Sequence, residues 1–255
     1  MAGTMAEKFF VKVMRIAAFS ALVGALLAAG CGALQRKVLF HPTHETRDGG
    51  LARWTEDGEM LGFAREVKDP ENVWLMLHGN GGQAADRAYA LPSFSERDAV
   101  YILEYPGYGQ REGSPSRRSI DEAARQGYDS LRRKFPDIAV CVAAESIGSG
   151  PAAMLSREAN PPDRIVLVVP FDDIKSVARN HVSLPVGVLL AGTWNNVEAL
   201  NGYAGPLDVF GAEKDTIIPV RHARALADSV PQARFHLIRG GHNDWSLDGK
   251  VRIRN

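Results

Sequence analysis

The sequence predicts an α/β domain with a mainly parallel central sheet flanked by helices on both faces. Six short apolar runs recur along the chain between turn residues, and several are continuously apolar, as strands covered on both faces require. Helix-like stretches lie between these runs, and strands that alternate with helices form parallel sheets. With 255 residues, 45% of them hydrophobic and 24% charged, the chain can form one sizeable core.

The predicted elements follow one another in chain order. The strands cover residues 72–78, 99–105, 138–144, 164–170, 206–211 and 234–238. The clearest helix covers residues 117–134, because its apolar residues form one stripe at helical spacing. That stripe consists of Ile120, Ala123, Ala124, Gly127, Tyr128 and Leu131. Further helices are predicted over residues 147–158 and 219–229. Functional side chains of such sheets gather on loops beyond the carboxyl ends of the strands, so candidates are sought directly after each run.

Residues 1–31 have the pattern of an export signal. A basic start precedes an uncharged run at residues 16–30, which is shorter than the about 20 residues that a bilayer span needs. The run ends in "LLAAGC" and resembles a bacterial lipobox, in which the cysteine, here Cys31, is lipidated. A lipoprotein, an uncleaved signal anchor and a cleaved secreted form all fit. We expect a cell-envelope protein outside the cytoplasm, tethered to the membrane in the first two cases.

Charge and histidine spacing exclude several function classes. The 30 basic residues balance 30 acidic ones, so nothing indicates a nucleic-acid partner. No metal and no cofactor are expected, because the other histidines lack the mutual spacing of metal ligands. These are His41, His44, His181, His222 and His236.

Three residues that could act together in catalysis each follow a predicted strand. Ser146 lies in "ESIGSG", Asp215 in "GAEKDTIIP" and His242 in "GGHND", and the order Ser, acid, His is that of α/β-hydrolases. A serine hydroxyl becomes nucleophilic when an imidazole takes its proton, and an acid fixes the imidazole tautomer. Ser146 would stand on a sharp strand-to-helix turn between the small residues Ala144 and Gly148, where the usual motif has glycine twice.

Five motifs together resemble one family of enzymes. "LMLHGNGG", "EYPGYGQREGSPS", "ESIGSG", "FGAEKDTIIP" and "GGHND" look like the small lidless or short-capped serine hydrolases of the α/β-hydrolase superfamily. The nearest branch contains membrane-tethered lysophospholipase-like, monoacylglycerol lipase-like and depalmitoylase-like proteins. The resemblance runs from about Val38 to Trp245, and we assign residues 38–255 to one hydrolase domain with a short cap at about 171–203.

The resemblance implies a role for each matching residue. Ser146 would be the nucleophile, Asp215 the acid and His242 the base. The backbone N–H groups of Asn80 and Ile147 would form the oxyanion hole.

Two features depart from the family pattern. Asp172 follows a strand at a position from which some hydrolases of this fold take their acid, although Asp215 is preferred for its strand-to-loop setting. The residues after His242 lack the periodicity of the packed final helix that the family normally has. We therefore expect one sheet face to be partly uncovered and His242 to be weakly anchored.

The expected activity is that of a serine esterase or lipase. Tyr108, Leu189 and Trp194 are candidate contacts to the substrate, although packing on the core is an equal alternative for the apolar cap residues. A membrane tether and an apolar cap favour small-molecule esters or thioesters, including those of lipids. A peptidase with the same triad and a catalytically inactive scaffold used for binding are the alternatives.

Overall fold

A computed structural model describes residues 39–181, 193–249 and 251–253. Its main sheet has eight strands in the order β10-β9-β8-β7-β4-β6-β3-β2. The strands are β2 Ala52–Glu56, β3 Glu59–Arg65, β4 Val73–Leu77, β6 Ala99–Leu103, β7 Val140–Glu145, β8 Ile165–Val168, β9 Leu207–Ala212 and β10 Ala233–Ile238. A separate parallel pair joins β1 His41–Pro42 to β5 Gly81–Gly82.

The six predicted strands form the parallel part of this sheet. Strands β4 and β6 to β10 pair with one another in parallel, and β4, β6, β7, β8 and β9 are buried at every residue. Continuous apolar runs form strands of this kind because helices cover both faces of the sheet. The predicted mainly parallel α/β architecture is confirmed.

An antiparallel hairpin that the sequence analysis missed extends the sheet. β3 pairs antiparallel with β6, and β2 pairs antiparallel with β3. Asp57 and Gly58 connect the two strands with φ values of 50° and 82°. Two consecutive positive φ angles are the requirement of a type I′ turn, for which Asp-Gly is a preferred pair.

Five α-helices are present in the described ranges. They are α1 Arg117–Lys134, α2 Ser149–Leu155, α3 Ile174–His181, α4 Asn196–Ala199 and α5 Val220–Asp228. α1 coincides with its predicted range and begins at Ser116, whose Oγ accepts a hydrogen bond from Ser119 N at 3.1 Å. The predicted apolar stripe of α1 is buried. A 3₁₀ turn at Ser146–Gly148 precedes α2, so the helix predicted from residue 147 is shorter than expected.

The residues after His242 pack into the core without a final helix. Trp245, Val251 and Ile253 are each at most 1% exposed, and Ile253 N donates to Ser93 O at 2.7 Å. The expectation of an uncovered sheet face was therefore wrong, because this segment supplies large apolar side chains from an extended, irregular path.

The predicted cap and export signal are described only in part. Asp172 O accepts hydrogen bonds from Asn196 N and Val197 N at 2.7 and 3.3 Å, which joins the two ends of the predicted cap. Leu189 in the cap, the segment 1–31 and Cys31 lie outside the described residues. Chain contacts group Met1–Leu39 and Phe40–Asn255 as separate units, and the elements above belong to the second. Within the described ranges, no helix has the length and apolarity to cross a membrane.

Candidate active site

Ser146 stands on a strained turn at the carboxyl end of β7. Its φ is +53°, in the left-handed region that costs a non-glycine residue about 1–3 kcal/mol and that clusters at functional sites. The 3₁₀ turn and α2 begin at once after the strand, so the serine side chain is lifted out of the regular ladder. Ser146 is 8% exposed.

Small neighbours make this turn possible. A Cβ atom on Gly148 would lie 2.3 Å from Leu77 O and 2.9 Å from His78 O, so position 148 has no room for a side chain. Ala144 is buried in β7 opposite Leu77 and Leu167 of the flanking strands. The methyl group of Ala144 is therefore accommodated where the usual motif has glycine.

His242 connects Ser146 to Asp215. Its Nε2 lies 2.9 Å from Ser146 Oγ, and its Nδ1 lies 2.7 Å from Asp215 Oδ2. A carboxylate only accepts hydrogen bonds, so Nδ1 carries the proton and Nε2 is free to accept from the serine hydroxyl. All three residues are buried, each 7 or 8% exposed.

The loop after β9 fixes the Asp215 carboxylate. Asp215 Oδ1 accepts from Ile217 N at 2.9 Å and from Ile218 N at 2.8 Å. These two bonds hold one oxygen and leave the other directed at His242. His242 is thereby anchored, contrary to the expectation from the missing final helix.

Asp172, the alternative acid, contacts a different histidine. Its Oδ1 lies 2.8 Å from His222 Nδ1 and accepts from Asp173 N at 2.6 Å. This carboxylate is therefore engaged with α5 and the start of the cap. The geometry favours Asp215 as the partner of His242.

The two predicted oxyanion donors lie on adjacent loops. Ile147 is the second residue of the 3₁₀ turn, and the first N–H groups of a helix lack partners within it. Asn80 follows β4, the neighbour of β7 in the sheet. No residue of the described ranges accepts a hydrogen bond from the Asn80 N–H. Both groups remain available to a ligand oxygen beside Ser146.

Tyr108, a predicted substrate contact, supports the Asn80 loop instead. It is 0% exposed, and its hydroxyl donates to Asn80 Oδ1 at 3.0 Å. Burial raises the pKa of Tyr108 above its ordinary value, so the hydroxyl stays protonated and remains a donor. His41 N donates to the same oxygen at 3.2 Å.

Trp194, the other described candidate, packs as a core residue. It is 1% exposed, its Nε1 donates to Asp121 Oδ1 at 2.7 Å, and its ring meets Phe40 edge-on at 6.4 Å. A Cβ on Gly150 of α2 would overlap the indole. Neither Tyr108 nor Trp194 leaves surface for a substrate, so both predictions are corrected in favour of packing.

Two charged residues beside the site escaped the sequence analysis. Glu145 is 5% exposed and lies near Arg87, with Nε and Oε2 3.8 Å apart. Glu145 had been set aside because its side chain points away from Ser146 along the strand. A charged residue closing the apolar run "VCVAA" was the available signal, since buried carboxylates are paired. Among the described residues, no His, Cys, Asp or Glu cluster has the geometry of a metal site.

Comparison with known proteins identifies the fold. A solved α/β-hydrolase from Vibrio vulnificus superposes with a TM-score of 0.61 at 19% identity, covering 74% of this chain and 73% of that one. The chain has the α/β-hydrolase fold. The Pyrococcus furiosus esterase Pf2001 superposes with a TM-score of 0.62 at 14% identity, covering 81% of this chain and 93% of that one. No family model matches the chain.

Sequence comparison relates this α/β-hydrolase to a characterised lipase. The lysophosphatidylserine lipase ABHD12 of Danio rerio is 25% identical over 210 residues, which are 74% of this chain. The same region is 55% of that protein, so the chain spans about half of its length.

Proposed function

We propose that the protein is a serine hydrolase that cleaves carboxylic esters or thioesters through an acyl-enzyme intermediate. The hydrogen-bonded series Ser146, His242, Asp215 carries this proposal, at 2.9 and 2.7 Å. A backbone strained at the serine and an engaged, oriented acid are costs that a scaffold used only for binding has no need to bear. The resemblance to an esterase structure and to a lipase sequence supports the same reaction class.

The geometry suggests the course of the reaction. Ser146 Oγ attacks the carbonyl carbon while His242 Nε2 takes the hydroxyl proton, and Asp215 stabilises the imidazolium that forms. The carbonyl oxygen becomes an oxyanion, which the N–H groups of Asn80 and Ile147 would bind. The imidazolium then protonates the leaving alcohol or thiol. Water attacks the acyl-enzyme by the same steps in reverse and releases the acid.

Fatty acyl esters are the substrate class that we propose. The related Danio rerio protein is a lysophosphatidylserine lipase, and the apolar composition of the predicted cap, "LPVGVLLAGTW", suits an acyl chain. Rates with p-nitrophenyl esters of increasing chain length test this class. A maximum at medium or long chains is expected, whereas activity confined to acetate would contradict it.

We further propose that residues 1–31 hold the hydrolase domain at a membrane outside the cytoplasm. The basic start, the apolar run and the lipobox-like end support this proposal. Metabolic labelling with a fatty acid should mark the wild-type protein and leave Cys31→Ser unlabelled. Equal labelling of both proteins would exclude Cys31 as the lipidated residue.

A fluorophosphonate probe tests the proposed reaction directly. Wild-type protein should be labelled on Ser146, and Ser146→Ala should neither react nor hydrolyse p-nitrophenyl butyrate. His242→Gln should lose hydrolysis while keeping its fold by circular dichroism. Absence of labelling in folded wild-type protein, or equal labelling of Ser146→Ala, would establish the inactive scaffold instead. Cleavage of amides at rates equal to esters would favour the peptidase.

A further inference from the structure

The Asn80 N–H and the Gly79 carbonyl belong to one peptide unit. A trans peptide is planar, and its C=O and N–H point in opposite directions. Whatever fixes the Gly79 carbonyl therefore also fixes the direction of the Asn80 N–H. This coupling matters because an oxyanion donor is effective only when it is aimed before the reaction.

Two side chains bind the Gly79 carbonyl. His78 Nδ1 lies 2.7 Å from Gly79 O, and Arg87 Nη2 donates to the same oxygen at 3.3 Å. A carbonyl oxygen only accepts, so the His78 proton is on Nδ1. Arg87 Nη2 also donates to Gly81 O. The guanidinium thus grips the carbonyls on both sides of Asn80.

The loop needs such a grip because of its composition. "GNGG" places glycine at positions 79, 81 and 82, and glycine loses more conformational freedom on ordering than any other residue. Position 79 cannot carry a side chain, since a Cβ there would lie 3.1 Å from the Glu145 carboxyl group. The loop must therefore be ordered by groups outside it.

Glu145 holds Arg87 in place. Its carboxylate accepts from Tyr89 OH at 3.1 Å and faces Arg87 Nε at 3.8 Å, with the Arg87 and Glu145 side chains 12% and 6% exposed. Burial by itself lowers the pKa of Arg87, and the nearby Glu145 charge more than offsets this, so the guanidinium stays charged. A charged donor on the carbonyl also polarises the peptide and strengthens its N–H as a donor.

We propose that Arg87, held by Glu145, is a positioning residue that aims the Asn80 N–H at the developing oxyanion. This inference rests on the proposed function and assigns a role to a charged pair one residue from the nucleophile. The pair does not touch the reacting atoms. Its effect passes through the Gly79–Asn80 peptide unit.

The test separates aim from stability. Arg87→Met alone leaves Glu145 buried without its partner, which could unfold the protein. The double variant Arg87→Met/Glu145→Gln removes both charges, and Arg87→Lys keeps a charge that cannot fork across two carbonyls. Arg97→Met is the matched control, because Arg97 pairs with Glu71 and its side chain is 75% exposed.

Three measurements are made on each folded variant: kcat and KM for p-nitrophenyl butyrate, inhibition by a trifluoromethyl ketone, and the melting temperature. The ketone forms a tetrahedral adduct with serine and presents an oxyanion to the site. Loss of one oxyanion donor costs about 10²–10³ in rate, so we expect misaiming in the double variant to lower kcat by about 10- to 100-fold. Affinity for the ketone should fall by the same factor, with KM changed less than about threefold.

The outcomes distinguish this inference from the proposed function. If wild-type protein hydrolyses esters through Ser146 but the double variant and Arg87→Lys keep wild-type kcat and ketone affinity, the positioning role is refuted and the proposed function stands. Recovery of kcat in the double variant relative to Arg87→Met would show that the pair only offsets buried charge, which also refutes it. If Ser146→Ala hydrolyses as fast as wild type, the proposed function itself fails.

Discussion

Replacing Asp215 by Asn should reverse the tautomer of His242. The carboxylate has two fixed tasks: Oδ1 accepts from Ile217 N and Ile218 N, and Oδ2 accepts from His242 Nδ1. An amide has one accepting oxygen. Turning its NH₂ towards the two backbone N–H groups would leave both unpaired, at about 1–3 kcal/mol each. The amide oxygen therefore takes the Oδ1 position, and the NH₂ faces His242.

This orientation removes the general base. An NH₂ facing Nδ1 requires an unprotonated Nδ1, which puts the imidazole proton on Nε2, 2.9 Å from Ser146 Oγ. Nε2 then donates to the serine and cannot accept its proton. In a serine triad the reversed tautomer lowers kcat by about 10⁴, or about 5.5 kcal/mol at 1.36 kcal/mol per tenfold. We expect a loss of that order in Asp215→Asn, with KM nearly unchanged.

The assay is kcat for p-nitrophenyl butyrate, with active sites counted in the wild-type protein by fluorophosphonate labelling. Asp172→Asn is the control, because it changes an equivalent carboxylate bonded to His222 at 2.8 Å; its kcat should stay within about threefold of wild type. A folded Asp215→Asn that keeps a tenth or more of wild-type kcat would refute the reasoning. A dead Asp172→Asn beside an active Asp215→Asn would move the acid to position 172.

Three further changes test the fold around the site. Gly148→Ala should lower the melting temperature and the rate of probe labelling together, because its Cβ would lie 2.3 Å from Leu77 O and such overpacking costs about 1–3 kcal/mol. Ile253→Ala should cost about 2–5 kcal/mol of unfolding free energy in urea, since Ile253 is 1% exposed, while kcat persists. Asp208→Asn should destabilise the protein at pH 7 but not at pH 3. Burial raises the pKa of Asp208, but hydrogen bonds from His236 and Arg164 outweigh this and lower it overall, so its contribution is full above about pH 4 and fades below.

Each of these three expectations has a distinct contrary result. Gly148→Ala with wild-type labelling would mean that the turn at Ser146 adapts to a side chain. Ile253→Ala at wild-type stability would show that the segment after His242 contributes little to the core. A constant stability difference between wild type and Asp208→Asn from pH 7 to pH 3 would exclude the lowered pKa as its source.

The sequence was sufficient for the parallel sheet and for the pairing of Ser146 with His242. Long apolar runs and chain order carry that information, because both depend on local patterns. The hairpin β2–β3 was missed although "EDGE" holds its Asp-Gly turn, since its strands mix exposed and buried residues. Tyr108 and Trp194 were assigned to the substrate because aromatic residues near a site have the same sequence signature whether they pack or bind. Only their burial and their partners Asn80 and Asp121 decide between the two.

Backbone strain separates turn residues from residues held at the site. Four non-glycine residues of the described ranges have positive φ: Asp57, Asp69, Ser146 and Val169. Aspartate visits this region readily because its short side chain bonds locally, and Asp57 sits in a hairpin turn. Ser146 and the β-branched Val169, at φ 46°, have no such excuse and end the adjacent strands β7 and β8.

Both strained residues are fixed by the sheet around them. Val169 N donates to Phe210 O of β9 at 2.8 Å, and the lack of space at Gly148 constrains the turn of Ser146. Glycine at position 146 would relieve the strain but would remove the hydroxyl. The side chain is therefore kept at a position where the backbone favours its absence, and that conflict between local preference and chemistry is the physical mark of a nucleophile on this turn.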